Sequence, residues 1–271
     1  MKLSLAIQTP EVQPIVPVAL LSGTFEEKLA KAARLGVDGV ELMTCDPAQL
    51  DAGAIRAALN QYGLAAAAVG SGAIAFATGL TLLHADPVKA QQAEARLHEL
   101  ISFAAAIGAP LVTIGSFRGR AATVGDGARG RLIALLRSAA DEAAARGVRL
   151  VLEPLNRYEM DLIRNADEGL AFLDEVAHPA LGLLLDTYHA NIEESSWTEP
   201  FRRAMAAGRL WHIHLGDNHR RPPGSGLIPF PLIVATLREL GYQGFLSAEL
   251  LAQPDPDTAA EQTVSYMRTL I

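Results

Sequence analysis

Four apolar segments in the second half of the chain end in residues that can bind metals and move protons. They end at Glu153, Asp186, His214 and Glu249. Three carboxylates and one imidazole form a ligand set that suits Mn²⁺, Mg²⁺ or Co²⁺ and also accepts Zn²⁺. Carboxylates are common general acids and bases as well. The four residues therefore predict one divalent-metal site. The alternative is that they are four unrelated residues at the rim of the fold that form salt bridges.

The residue spacing indicates that each segment becomes polar only at its end. Side chains alternate along a strand, so Val151 shares a face with Glu153, and Leu184 shares a face with Asp186. His212 and His214 also share a face, about 6.6 Å apart along the strand. His214 lies nearer the strand end and is the predicted ligand. His212 is predicted to lie in a second layer below it, where it either packs in the core or forms a hydrogen bond.

Strand-like and helix-like segments alternate along the whole chain. Helical patterns at 25–36, 90–108 and 130–147 each close near a Gly, a common residue at helix ends. Apolar strands between amphipathic helices indicate a parallel sheet covered by helices. Eight such units predict a single (β/α)₈ TIM-barrel domain over residues 1–271, with chemistry at the carboxyl ends of its strands. The predicted strands are 3–7, 39–43, 65–70, 110–115, 149–153, 181–186, 210–215 and 245–250.

A doubly wound dinucleotide-binding sheet is the competing architecture. "GSGAIA" (70–75) matches the G-x-G-x-x-A pattern of that fold. However, it follows the third strand, and the fourth ends in "TIGS" where a ribose-binding carboxylate would be required. Gly70 and Gly72 are therefore interpreted as loop residues.

Composition and charge restrict the class of protein. The chain has 271 residues, of which 50% are hydrophobic, and a formal net charge of -7. It lacks the basic field that binding to nucleic-acid backbones requires, and no apolar run approaches a membrane span. Cys45 is the one cysteine, which excludes an intrachain disulfide. We expect a cytoplasmic protein with no nucleic-acid or membrane partner.

Further motifs accompany the four strand ends. They are "EPLNRYE" (153–159), "LDTYHANIEE" (185–194), "HIHLGDNHRRPPGSG" (212–226) and "AEL" (248–250). In order and separation they resemble the xylose-isomerase-like TIM-barrel superfamily of sugar isomerases and epimerases, specifically its ketose 3-epimerase branch. "IGSFRGR" (114–120) and "GLTLLHADP" (79–87) add a weaker likeness to 5-keto-L-gluconate epimerase-type proteins. With the eight-unit pattern, the resemblance covers essentially the whole chain.

The resemblance implies a role for each matching residue. One divalent metal, usually Mn²⁺ or a close substitute, would be bound by Glu153, Asp186, His214 and Glu249. Glu153 and Glu249 would also form the acid–base pair of an epimerase. The implied substrate contacts are Glu159, His189 and Arg220. The resemblance also implies a homo-oligomer, either a dimer or a tetramer.

Epimerisation next to a ketone needs a base, an acid and stabilisation of the enediolate. A divalent cation stabilises that negative charge as a Lewis acid. The proton must leave one face of the carbon and return to the other, so two groups must flank the sugar. Glu153 and Glu249 end strands that lie apart around the barrel, which suits this arrangement.

The segment after strand four suggests an anionic substrate. "GSFRGR" places Arg118 and Arg120 near the predicted rim, and arginine binds carboxylate through a bidentate fork. We therefore expect both to contact a keto-sugar acid such as 5-keto-L-gluconate. The alternative is that one or both arginines pair with rim carboxylates or face solvent. The loops 9–24, 70–87 and 216–229 are predicted to close over the pocket. An alternative prediction is that the second loop faces a neighbouring subunit through Ile74, Phe76 and Leu82.

Other activities share parts of this pattern. An aldose–ketose isomerase or a cyclic polyol dehydratase could use the same metal and enediolate. An endonuclease IV-like repair enzyme would need more metal-binding histidines and a basic surface. A sugar-binding protein without catalysis would bind no metal. These remain alternatives to the predicted keto-sugar epimerase.

Overall fold

Eight parallel strands close into one barrel, which confirms the predicted (β/α)₈ fold. The computed structural model describes residues 1–271. Each strand pairs with the next along the chain, and the last pairs with the first. This closed strand order excludes the doubly wound alternative. The strands are β1 (Lys2–Gln8), β2 (Gly39–Met43), β3 (Ala65–Gly70), β4 (Leu111–Ile114), β5 (Arg149–Leu152), β6 (Leu181–Asp186), β7 (Leu210–Leu215) and β8 (Phe245–Ala248).

Ten α-helices surround the barrel or follow its strands. Gly36 and Gly108 end two of them in the left-handed conformation, as their positions predicted. None of the helices combines the length and hydrophobicity that crossing a membrane requires. The helices are α1 (Phe25–Leu35), α2 (Ala52–Gln61), α3 (Gly72–Thr78), α4 (Pro87–Ile107), α5 (Ala128–Ala145), α6 (Ala166–Val176), α7 (Thr187–Glu193), α8 (Glu199–Ala206), α9 (Phe230–Glu239) and α10 (Pro256–Arg268).

The core has two parts. Most buried apolar side chains form one large cluster. A separate small cluster contains Ala68, Leu111, Val151 and Leu184. Because Val151 and Leu184 precede Glu153 and Asp186 by two residues on their strands, this small cluster lies beneath those acids. It forms the apolar lower layer on which the polar strand ends stand.

The segment 70–87 differs from the predicted loop, because it contains α3. Gly70 ends β3, and Gly72 begins the helix. Ile74 and Leu82 are fully buried within the chain, so neither can face a neighbouring subunit. Phe76 remains 47% exposed.

Candidate active site

The four predicted metal ligands converge at the carboxyl end of the barrel. Glu153 and Glu249 directly follow β5 and β8, Asp186 ends β6, and His214 lies in β7. Nδ1 of His214 lies 3.3 Å from Oε1 of Glu153 and 3.1 Å from Oε2 of Glu249. A carboxylate oxygen of Asp186 lies within 4.8 Å of one of Glu153. All four side chains are shielded from solvent, with Glu249 the most exposed at 14%.

Several atoms of this cluster are buried without a hydrogen-bond partner. They are Oε1 of Glu153, Oδ2 of Asp186 and Nδ1 of His214. Leaving a buried polar atom unsatisfied costs about 1–3 kcal/mol. A divalent cation would satisfy all three atoms, because carboxylate oxygen and imidazole nitrogen are ordinary ligands for it. The residues present therefore fit a bound metal.

The electrostatics of the cluster also favour a cation. Burial, reinforced by the charge of Glu153, raises the pKa of Asp186 to about 6 and that of Glu249 to about 7. Carboxylates crowded in a buried site ionise together only when positive charge lies nearby. Arg220 supplies one such charge, since its Nη2 donates to Oε1 of Glu249 at 3.1 Å.

Glu159 and His189 meet beside this cluster through Asn156, which the sequence analysis missed. Nδ2 of Asn156 donates to Oε1 of Glu159 at 3.2 Å and contacts Nδ1 of His189 at 2.7 Å. Nδ1 therefore accepts, which leaves the ring proton on Nε2. Nε2 is buried without a partner, 3.8 Å from Oδ2 of Asp186. His189 thus points a hydrogen-bond donor into the site.

A folded loop after β7 places Arg220 over the same site. Asp217 is fully buried, and its carboxylate accepts four backbone N–H groups of this loop. Arg220 adopts φ +57°, which is uncommon for a residue other than Gly. Its guanidinium lies 5.2 Å from the centre of the Tyr188 ring and 3.5 Å from Oε1 of Glu159. The four donors to Asp217 are Asn218, Gly224, Gly226 and Ile228.

The expectation that Arg118 contacts substrate is not supported by its position. Its side chain is fully buried and makes five hydrogen bonds to backbone carbonyls. A guanidinium has five N–H donors, so none remains for a substrate carboxylate. Arg118 instead ties the turn after β4 to the segment after β5. The acceptors are the carbonyls of Gly115, Glu153, Leu162 and Ile163.

The expectation that Arg120 contacts substrate is not supported by its position either. It is exposed, and its Nη2 donates to the carbonyl of Tyr158 at 3.1 Å. It does not line the cavity beside the acids. Neither arginine after β4 therefore presents its guanidinium to that cavity.

A cavity of about 40 Å³ lies beside the predicted ligands. A larger one of about 990 Å³ lies under the loop after β1, against α1 and α2, and contains none of the predicted site residues. A Cβ atom at Gly115 would overlap Oε2 of Glu153, so the missing side chain makes room for that carboxylate. The smaller cavity is lined by Met43, Gly70, Gly72, Thr113, Gly115, Ser116, Glu153, Leu155, Glu159, Arg220 and Glu249.

Glu41 in β2 is a further buried acid that the sequence analysis missed. Its Oε2 lies 2.8 Å from Nε2 of His212 and 3.1 Å from Nε2 of His214. His212 thus forms a hydrogen bond below the cluster, which is one of the two roles predicted for it. The available signal for Glu41 was a single acid inside the apolar strand "GVELM" (39–43).

Comparison with known proteins agrees with this architecture. Residues 29–270 match a family described as xylose isomerase-like TIM barrel. The L-ribulose 3-epimerase of Methylomonas sp. (strain DH-1) is 33% identical over 249 residues, which cover 89% of this chain and 84% of that protein. The ketose 3-epimerase of Arthrobacter globiformis is 31% identical over 230 residues, covering 79% and 73% respectively.

The similarity extends to solved structures. A D-allulose 3-epimerase from Methylomonas sp. in complex with D-allulose superimposes with a TM-score of 0.81 at 26% identity. The superposition covers 100% of this chain and 98% of that protein. The chain therefore belongs to the xylose isomerase-like TIM-barrel family, and its relatives match the ketose 3-epimerase branch that the motifs predicted.

Proposed function

We propose that this chain is a divalent-metal-dependent epimerase of a keto sugar, with Glu153 and Glu249 as its acid–base pair. The observation that carries the proposal is the position of these two acids. They arise from β5 and β8, and both approach Nδ1 of His214. Two acids that reach one site from separate strands can flank a bound sugar, which inversion of a carbon centre requires.

The metal would be held by Glu153, Asp186, His214 and Glu249, and we propose Mn²⁺. When bound, the ion supplies Lewis-acid stabilisation of negative charge on the substrate oxygens. The unpartnered atoms of three of these residues support the site. Chelation by EDTA should abolish turnover, and added Mn²⁺ should restore it.

The protein side chains would transfer and guide the proton. Arg220 would orient Glu249 by donating to its Oε1, and Glu249 would transfer the proton on one face of the sugar. Glu153 would act on the opposite face of the sugar. His189 would donate from Nε2 to a substrate oxygen, since Asn156 occupies its Nδ1. Glu159 and Arg220 would contact substrate hydroxyls at the wall of the cavity.

We propose a neutral ketose in place of the keto-sugar acid expected from Arg118. All N–H groups of Arg118 are used within the chain, and Arg220 already pairs with Glu249. The relatives described above are epimerases of L-ribulose, D-allulose and other ketoses. Comparison of kcat/KM for ketopentoses, ketohexoses and 5-keto-L-gluconate would test this choice. Preference for the keto acid would overturn it.

Turnover in deuterated water with Mn²⁺ tests the reaction itself. An epimerase would incorporate one deuterium at the inverted carbon and yield a ketose. An aldose product would identify an isomerase, and a product lighter by one water would identify a dehydratase. Metal binding without turnover of any keto sugar would contradict the proposal.

A homo-oligomer and a cytoplasmic location stay predictions. Three exposed apolar side chains support an oligomer, because they follow β1, β3 and β7 and so lie at the same end of the barrel. They are Ile15, Phe76 and Leu227. Light scattering coupled to size-exclusion chromatography would distinguish a monomer from the expected dimer or tetramer.

A further inference from the structure

We infer that Glu41 is a positioning residue that fixes the tautomer of His214 and thereby selects Nδ1 as its metal-binding nitrogen. This inference rests on the metal site of the proposed function. Glu41 belongs to β2 and His214 to β7, so their contact crosses the barrel interior. Glu41 would act through the histidine and would touch neither metal nor substrate.

The argument begins with the direction of the hydrogen bonds. Nε2 of His212 lies 2.8 Å from Oε2 of Glu41, and Nε2 of His214 lies 3.1 and 3.2 Å from its two oxygens. An ionised carboxylate only accepts, so Nε2 of each ring carries a proton. In a neutral imidazole the other nitrogen then has a free lone pair. For His214 that nitrogen is Nδ1, which faces Glu153 and Glu249.

The surroundings of Glu41 hold its carboxylate in this orientation. Glu41 is 1% exposed, and His212 and His214 are buried around it with their rings at 79° to each other. A Cβ at Gly70 would come within 3.3 Å of Oε1 of Glu41, so the missing side chain leaves room for the carboxylate between the two rings and β3. His212 therefore serves as a second donor that anchors Glu41. Removing such an outer partner from a ligating histidine typically weakens metal affinity about 10–100-fold.

Calorimetric titration of the metal-free protein with Mn²⁺ tests the inference without measuring turnover. We expect Glu41→Gln to raise the Kd for Mn²⁺ by about 10–100-fold, because its NH₂ group would replace one of the two oxygens that now accept from Nε2 of His214. Ser247→Ala is the matched control. Ser247 is fully buried, lies opposite His214 in the sheet and has no hydrogen-bond partner. Removal of its hydroxyl group should leave the Kd for Mn²⁺ unchanged.

An unchanged Kd in Glu41→Gln, or an equal loss in both variants, would overturn the inference. If Glu41→Gln does not fold, the wild-type protein still provides the test. In ¹⁵N-histidine-labelled, Zn²⁺-loaded protein, long-range ¹H–¹⁵N spectra should show His214 protonated at Nε2. Protonation at Nδ1 would overturn this inference and would leave the proposed metal site standing. Absence of Mn²⁺ and Zn²⁺ binding by the wild type would overturn the proposed metal site as well.

Discussion

The two halves of the barrel make different contributions to one cavity. The half from β1 to β4 lines it with Met43 and with small residues such as Gly70, Gly72 and Gly115. The half from β5 to β8 lines it with Glu153, Glu159, Arg220 and Glu249. The first half leaves space, and the second half concentrates charge.

This difference teaches that the charged half depends partly on support from the other half. Arg118, from the first half, binds backbone carbonyls after β5. Glu41, also from the first half, contacts His214 in β7. Gly115 leaves the volume that the Glu153 carboxylate occupies. Variants of these supporting residues therefore test whether the charged half needs the first half for its stability and activity.

The largest effect is expected at Arg118, which links the first half of the barrel to the second. Arg118→Met removes five hydrogen bonds and leaves the carbonyls of Glu153 and Leu162 without another donor, so the free energy of unfolding should fall by about 3 kcal/mol. Urea denaturation measures this loss. Arg120→Met is the control, because the exposed neighbour should change stability by less than about 0.5 kcal/mol. Equal stability of the two variants would refute the bracing role.

Gly115→Ala should follow in size, because the new methyl group overlaps Oε2 of Glu153. Displacing a catalytic group by roughly 1 Å can cost about 100-fold in rate, and we expect a loss of that order in kcat/KM. Gly72→Ala is the control, since its Cβ would lie 3.9 Å from its nearest neighbours and fits without displacing them. Comparable activity of both variants would show that the space at residue 115 is not required.

Asp217→Asn tests whether the loop that carries Arg220 depends on its buried carboxylate. The amide NH₂ group would oppose backbone N–H donors that now reach the carboxylate. Loss of charge-assisted hydrogen bonds should cost about 1.5–3 kcal/mol in the free energy of unfolding. KM should rise because Arg220 loses its support. Unchanged unfolding and unchanged KM would contradict this role, and exposed Asp174→Asn provides the control.

Tyr188 gives the smallest expected effect. Its ring lies 5.2 Å from the Arg220 guanidinium, an arrangement worth about 0.5–1 kcal/mol at a partly exposed site. Tyr188→Leu should therefore raise KM roughly two- to fivefold. Tyr188→Phe keeps the ring and should retain the wild-type KM. A similar change in both variants would assign the effect to the hydroxyl group.

The strand ends were predictable from the sequence because two signals coincided. An apolar strand before Glu153 or Asp186 implies burial, and a charged residue at its end implies the rim of a parallel barrel. His214 followed from the same rule. The structure confirms the barrel and brings all four residues together, whereas their roles in binding metal and transferring protons stay predictions.

The supporting residues could not be predicted in the same way. A single Glu41 inside an apolar strand does not reveal which distant histidines it will meet. Arg118 follows a strand end, as a substrate contact would, yet its side chain turns inward toward backbone carbonyls of another segment. The conformation of Arg220 depends on Asp217 and on glycines as far as residue 226. These features arise from tertiary packing and not from local pattern.

The bonds of Arg118 also bear on how such barrels could be recombined. A chimera that joins the first four β/α units of one relative to the last four of another would place its junction between Arg118 and three of its acceptors. Only parents that share this arginine and the same backbone path over 153–163 should yield a hybrid with an ordered β5 segment. Compatibility of exchanged half-barrels would then depend on a side chain that never meets the sugar.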